Sequence, residues 1–283
     1  TPGHINENAH TLDAMSNTLS INTQLIRLLA ASVWISAFLF GLYIIGFYAL
    51  ALVTDDAERW NRVLPGLYVK GNSAATQGIG IHFLGGGIVL LLGCLQLMAG
   101  IRNRWPILHR AIGRLYLIGC LFASLGGLLF VILNRTIGGW PMDLAFTMYG
   151  ALMFICSIQT WRYAIKRKIA VHKAWAIRLF ALAIGSWFYR MGYGFWFLTM
   201  DGVGHTETFS GGFDYFMDFF FFLPNLLFAE AIIRGVTFSG PWMRTVSATG
   251  LVCVILYVWV ATYFFTTEYW SIGIGLLVRY LGF

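Results

Sequence analysis

The sequence predicts an all-α membrane protein, a polytopic bundle of seven transmembrane helices. Three observations carry that prediction. Seven separate apolar stretches, each about long enough to cross a bilayer, cover most of the chain. Only 11% of the 283 residues are charged, 58% are hydrophobic and the mean hydropathy is +0.72, outside the range of soluble globular chains. Arginine and lysine gather in alternate loops, as the positive-inside rule requires of a multi-pass chain. In such a solvent every ionic group within a span needs a partner or a purpose.

The spans are expected at residues 25–53, 78–101, 107–133, 143–165, 174–199, 214–234 and 245–266. Residues 1–22 are polar, lack a basic n-region and read as a cytoplasmic tail rather than a cleavable signal peptide. The bundle proper is expected over 23–267. The apolar stretch 268–283 is short for a further span and is expected to lie in the outer interface or to pack on another subunit. The connection 54–77 is expected to hold a short interfacial helix around Trp60–Leu67.

Orientation comes from the loops. Arg102, Arg104, Arg110 and Arg114 share one connection, Arg162, Lys166, Arg167, Lys168, Lys173 and Arg178 a second, Arg234 and Arg244 a third. All three fall on one side, which predicts a cytoplasmic N-terminus and an outside C-terminus. The +7 net charge therefore reports topology and points to no nucleic-acid partner. Trp60, Trp105, Trp140, Trp161, Trp196, Trp242, Tyr269 and Trp270 stand near span ends, as interfacial belts do.

Several chemistries are excluded. Cys94, Cys120, Cys156 and Cys253 each lie in an apolar segment without C-x-x-C spacing, so neither a disulfide framework nor a zinc site is expected. No P-loop, H-E-x-x-H, G-x-S-x-G or C-x-x-C-H motif is present, so ATP hydrolysis, zinc proteolysis and covalent haem attachment are not expected. The glycine runs 85–87 and 126–127 lie inside spans, where close helix packing is their expected use.

Two clusters remain. On the basic side, Leu108-His109-Arg110-x-x-Gly113-Arg114 opens span three and Val171-His172-Lys173-x-Trp175-x-x-Arg178 opens span five. The two histidines sit at similar depth. Two neutral imidazoles at one level can ligate a b-type haem axially, with Arg114 and Arg178 beside its propionates and bare Gly113 under the macrocycle. Interfacial anchoring and lipid-phosphate contact explain the same residues without a cofactor. On the opposite side, His82 enters span two, Arg190 lies about 18 Å beyond Arg178 along span five, Asp214 and Asp218 open span six and Asp143 opens span four. Arg190 is expected to pair with Asp218 or, second, Asp214. The cluster reads either as a pocket for a quinone head group, an anionic ligand or a proton path, or as an internal ion pair. Glu230, the remaining intramembrane acid, is expected to meet Arg114 or Arg178. Gln96 is expected to bond between helices, and Pro224-Asn225 to kink span six. His4, His10 and His205 read as solvated surface.

The glycine-rich second span with His82 and Gln96, then LHRAIGR, then HKAWAIR leading to Arg190, resembles a large bacterial family of predicted membrane proteins, domain-of-unknown-function family 2306, over about residues 78–195. That resemblance implies a bacterial inner membrane and no particular reaction. LHRAIGR and the histidine positions are also distantly similar to the di-haem b cytochromes of the ascorbate-reducing type. The similarity implies His109 and His172 as one axial pair; the second pair is broken, because span four has no histidine opposite His82. The functions in view are thus a redox-linked membrane component holding one haem b or a quinone, a non-catalytic accessory subunit of a larger respiratory or photosynthetic membrane complex, and a small transporter or lipid-modifying enzyme that uses His82, Arg190 and Asp218. The lipid bilayer is the partner common to all three.

Overall fold

Long apolar runs wind into helices because a backbone removed from water must bond to itself. The computed structural model describes residues 3–235 and 241–282, with side chains over 22–235, at 242 and over 245–282; His4, His10 and Arg244 lie outside the described side chains. Helix α1 (Gly3–Tyr43) runs through the first span into a π turn (Ile44–Ala49) and α2 (Leu50–Val53). A 3₁₀ turn (Ala57–Arg62) precedes α3 (Ser73–Leu97), whose Asn72 cap accepts a hydrogen bond from Ala75 N at 3.2 Å. Then come α4 (Ala99–Arg104), α5 (Pro106–Asn134), α6 (Gly139–Ile165), α7 (Ile169–Ala183), α8 (Gly185–Met200), α9 (Gly212–Phe220), α10 (Leu223–Ile233), α11 (Pro241–Phe265), a second π turn (Thr266–Trp270) and α12 (Ser271–Tyr280).

Seven of these helical runs are long and apolar enough to cross a bilayer, the last being Thr245–Tyr280. The chain is a multi-pass membrane protein. Ile132, Leu227, Phe228 and Tyr263 point outward into the apolar belt that the lipid covers.

The tightest pairing is α3 against α5, and glycine makes it possible. A Cβ at Gly85 would stand 2.9 Å from Ala123 N, and one at Gly126 would stand 2.8 Å from His82 N. The two backbones therefore meet directly along this seam, as small residues allow between membrane helices.

Three expectations need correction. Residues 268–280 do not stand apart from the bundle: they continue the last helix and lay it on the first. A Cβ at Gly273 would lie 2.9 Å from the Tyr43 carbonyl oxygen, and Gly46 faces the Gly273 backbone in turn. Trp60 is not at an interface. The π turn widens the first span and frees carbonyls, and the loop supplies their donors: Trp60 Nε1 bonds Tyr48 O at 3.1 Å and Arg59 Nε bonds Phe47 O at 2.8 Å. Trp60 is fully buried in consequence. The expected interfacial helix is the 3₁₀ turn at 57–62 that carries these two residues.

Span five is interrupted at Ile184, between α7 and α8, and span six at 221–222, between α9 and α10. Pro224 stands in the first turn of α10, and Asn225 Nδ2 bonds the Phe221 carbonyl at 3.0 Å across the break.

The buried residues form two apolar clusters, one around α1, α3, α11 and α12, the other around α5, α6, α8 and α9. They do not close completely upon one another.

Candidate functional site

A cavity of about 470 Å³ lies where the two clusters part. Phe40, Ile44, Phe83 and Phe130 wall it from the first cluster, and Tyr149, Met153, Tyr189 and Phe221 from the second. Leu64–Leu67 and residues 134–137 stand at its mouth, at the end of the bundle away from the basic loops. Pro65, Gly66 and Arg135 are exposed there, and Asn134 Nδ2 reaches across to the Gly66 carbonyl at 2.8 Å. Gly86 and Gly127 keep the floor open. A Cβ at Gly86 would meet nothing within 4 Å, and one at Gly127 would press on His82 Nδ1 at 2.9 Å.

Two polar side chains of opposite character, His82 and Arg190, line this largely apolar space, with Ser124, Tyr149, Ser186 and Tyr189 also on its wall and Asn134, Arg135 and Thr136 at its mouth. His82 Nδ1 stands 2.7 Å from the Ala123 carbonyl oxygen. A carbonyl only accepts, so Nδ1 carries the proton and a neutral His82 presents Nε2 as a bare acceptor. Arg190 brings a guanidinium. Its contact among the described residues is the Tyr189 ring, whose centroid lies 6.0 Å from Cζ, and its charge reaches Tyr43, Tyr48 and His82. No carboxylate and no hydrogen-bond acceptor meets it among the described residues.

The expected Arg190–Asp218 or Arg190–Asp214 pair is therefore absent, for a rotational reason. One residue along a helix turns the side chain by about 100°. Tyr189 and Tyr193 face α9, and Arg190 turns past them toward α1 and α3. Asp214 is engaged otherwise: Tyr193 Oη donates to its Oδ1 and His205 Nδ1 shares a hydrogen bond with the same oxygen, both at 2.7 Å, while Gly211 N and Thr206 N donate to Oδ2 at 2.8 and 3.1 Å. His205 is thus a partly buried partner of Asp214 and not a solvated surface group. Asp218 is fully buried, and neither of its oxygens has a hydrogen-bond partner among the described residues. Asp143 accepts from Thr136 N at 2.7 Å and from Arg135 at 3.1 Å, tying the α5–α6 connection at the cavity mouth.

At the basic end, Arg178 makes a bidentate pair with Glu230, its second bond being Nη2 to Oε2 at 3.1 Å, and lies 4.8 Å over the Trp175 ring. Arg234 approaches the same carboxylate at 3.7 Å. His172 Nδ1 donates to the Thr160 carbonyl at 3.0 Å, and His109 Nδ1 is buried without a partner among the described residues. The surroundings do not fit a haem laid between these histidines. The bare face of Gly113 is filled by Gln96, whose Oε1 would stand 2.9 Å from a Cβ there. Arg178 is held by Glu230, and Arg114 faces outward. Neither histidine borders the large cavity.

Tyr189, Tyr193 and His205 were not singled out by the sequence reading. A signal was present: Tyr189-x-x-x-Tyr193 and Asp214-x-x-x-Asp218 each place two polar groups on one helical face.

No curated protein and no solved structure matches the chain. One family does, over residues 79–233, a stretch that is more than half of the sequence and holds His82, Arg190 and Asp214. The chain belongs to that family, described as Predicted membrane protein (DUF2306).

Proposed function

We propose that the cavity binds the head group of a membrane quinone or quinol, making the protein a redox-linked component of its membrane. One observation carries this: a donor-only cation, Arg190, and a bare acceptor, His82 Nε2, border a single apolar space of about 470 Å³. Cavities of roughly 300–1,000 Å³ suit small amphiphilic ligands. A quinone oxygen accepts from the Arg190 guanidinium, and a quinol hydroxyl donates to His82 Nε2. Phe83, Tyr189 and Phe221 offer ring faces, and the apolar walls take part of a prenyl tail. A cation left without a carboxylate in the bilayer is costly unless water or a ligand solvates it, so the ligand's oxygen also answers the cost of Arg190.

The positive-inside rule puts the basic loops in the cytoplasm. On that orientation the cavity mouth faces the outer leaflet, and the bacterial inner membrane is the setting that the family's character suggests.

The test is titration of the protein in nanodiscs with 2-heptyl-4-hydroxyquinoline N-oxide, a fluorescent quinol mimic. Saturable quenching in the wild type that is lost in Arg190→Gln is the expected result. Wild-type protein that leaves the probe's fluorescence unchanged overturns the reading.

A further inference from the structure

Tyr189, Tyr193, Asp214 and His205 form a continuous chain of protonatable groups from the cavity wall to the protein surface. Tyr189 borders the cavity and donates from its hydroxyl to that of Tyr193 at 3.3 Å. Tyr193 donates to Asp214 Oδ1 at 2.7 Å, and His205 Nδ1 meets the same oxygen at 2.7 Å. Asp214 is fully buried, whereas the His205 side chain keeps 17% of its surface exposed. The chain therefore has one end in the ligand space and the other at water.

Holding the loop does not require this arrangement. The N–H groups of Thr206 and Gly211 already fasten the loop to Asp214 Oδ2. Tyr193 reaches the same carboxylate at Oδ1, but Tyr189 lies beyond the clamp and leads away from it, toward Arg190 and the cavity. Phe209 and Phe213 close on the Tyr193 ring, and Phe197 and Phe209 on His205. With aromatic rings on these sides, a proton travels from hydroxyl to hydroxyl more readily than through solvent. Asp218, one turn beyond Asp214, is the other carboxyl facing the junction, and Arg190 is the cation beside Tyr189.

We propose that these four side chains are a proton relay between the occupant of the cavity and the aqueous surface at the end away from the basic loops. The proposal rests on the cavity being a ligand site and assigns the route by which that ligand's proton leaves or arrives. In the outward direction the ligand hydroxyl gives its proton to Tyr189, which releases its own to Tyr193, which releases its own to Asp214. His205, as the Nε2–H tautomer whose bare Nδ1 accepts from the protonated Asp214, takes that proton at Nδ1 and gives its Nε2 proton to water. Each member gains one proton and loses one. The ligand is left as an oxyanion beside the Arg190 guanidinium, and water receives the proton.

The relay is read on the empty protein by exchange of the Tyr189 hydroxyl proton with water, resolved as the isotope shift on ¹³Cζ-labelled tyrosine in mixed light and heavy water. Tyr193→Phe and, separately, His205→Gln are each expected to slow that exchange about 10²-fold, the scale of a lost acid–base group. Neither residue borders the cavity, so binding of the hydroxyquinoline probe stays at its wild-type level. Unchanged Tyr189 exchange in either variant overturns the relay, and His205→Gln decides alone should Tyr193→Phe fail to fold. Absence of probe binding in wild-type protein overturns the quinone reading instead, and the exchange measurement still decides the relay.

Discussion

Arg178 and Arg190 ride the same span, twelve residues apart, and the fold treats them in opposite ways. Arg178 lies near the basic end, gripped in bidentate fashion by Glu230 and stacked on Trp175. Arg190 lies toward the other end, meets no carboxylate among the described residues and borders the cavity. A paired arginine is finished: its charge is answered within the chain, and its work is to fix α7 to α10. An unpaired one has its donors still to spend. The contrast separates a charge that serves the architecture from one that, on the reading proposed above, a ligand answers.

Five measurements break or sharpen the contrast. Arg190→Gln should weaken the hydroxyquinoline probe about 10²-fold, roughly 2.7 kcal/mol, while thermodynamic stability in detergent moves by no more than about 0.5 kcal/mol. A large stability loss would make Arg190 a second Arg178. Conversely, Arg178→Met should lower stability by about 2 kcal/mol, seen in reversible unfolding in mixed micelles, without altering the probe's affinity. Adding Glu230→Gln to that variant should recover part of the loss, because much of it is the orphaned carboxylate. Gly86→Leu comes next. Its side chain enters open space, so it should cut probe affinity about tenfold yet leave the fold intact or firmer by about 1 kcal/mol, leucine being the better helix former. Unaltered affinity would mean that the ligand does not use this cavity. The smallest effect belongs to Arg135→Gln at the mouth. The side chain is 75% exposed, so its bond to Asp143 should be worth under about 0.5 kcal/mol by thermal shift. His109→Ala and His172→Ala should leave probe binding untouched, with no b-type band in a dithionite-reduced spectrum. A sharp band lost in those variants would restore a haem at the basic end.

The spans could be read from the sequence because bilayer thickness imposes their length, and nothing local competes with that demand. Arg178–Glu230 was legible for a similar reason, since depth alone brought the two groups to one level. Arg190 was not. Its partner depends on helix rotation, and one residue's turn separates the face of α8 that meets α9 from the face that meets the cavity. Trp60 misled because aromatic residues near span ends usually mark an interface. Here a π turn freed carbonyls that required a buried donor. His205 was hidden by its loop, where Asp201 and Phe209 take left-handed backbone and fold the segment back onto Asp214. The haem reading rested on sequence spacing around His109 and Gly113, and spacing could not disclose that Gln96 fills the bare glycine face.

The matched stretch, 79–233, and the cavity do not coincide. His82, Tyr189 and Arg190 come from within it, but Phe40, Ile44 and Leu64–Leu67 come from the helix and loop that precede it. On the quinone reading proposed above, the polar contacts to the head group fall within the matched stretch, and part of the apolar wall falls before it. A chimera that kept the middle helices and borrowed the first from another member should hold the same polar moiety and accept a different prenyl length.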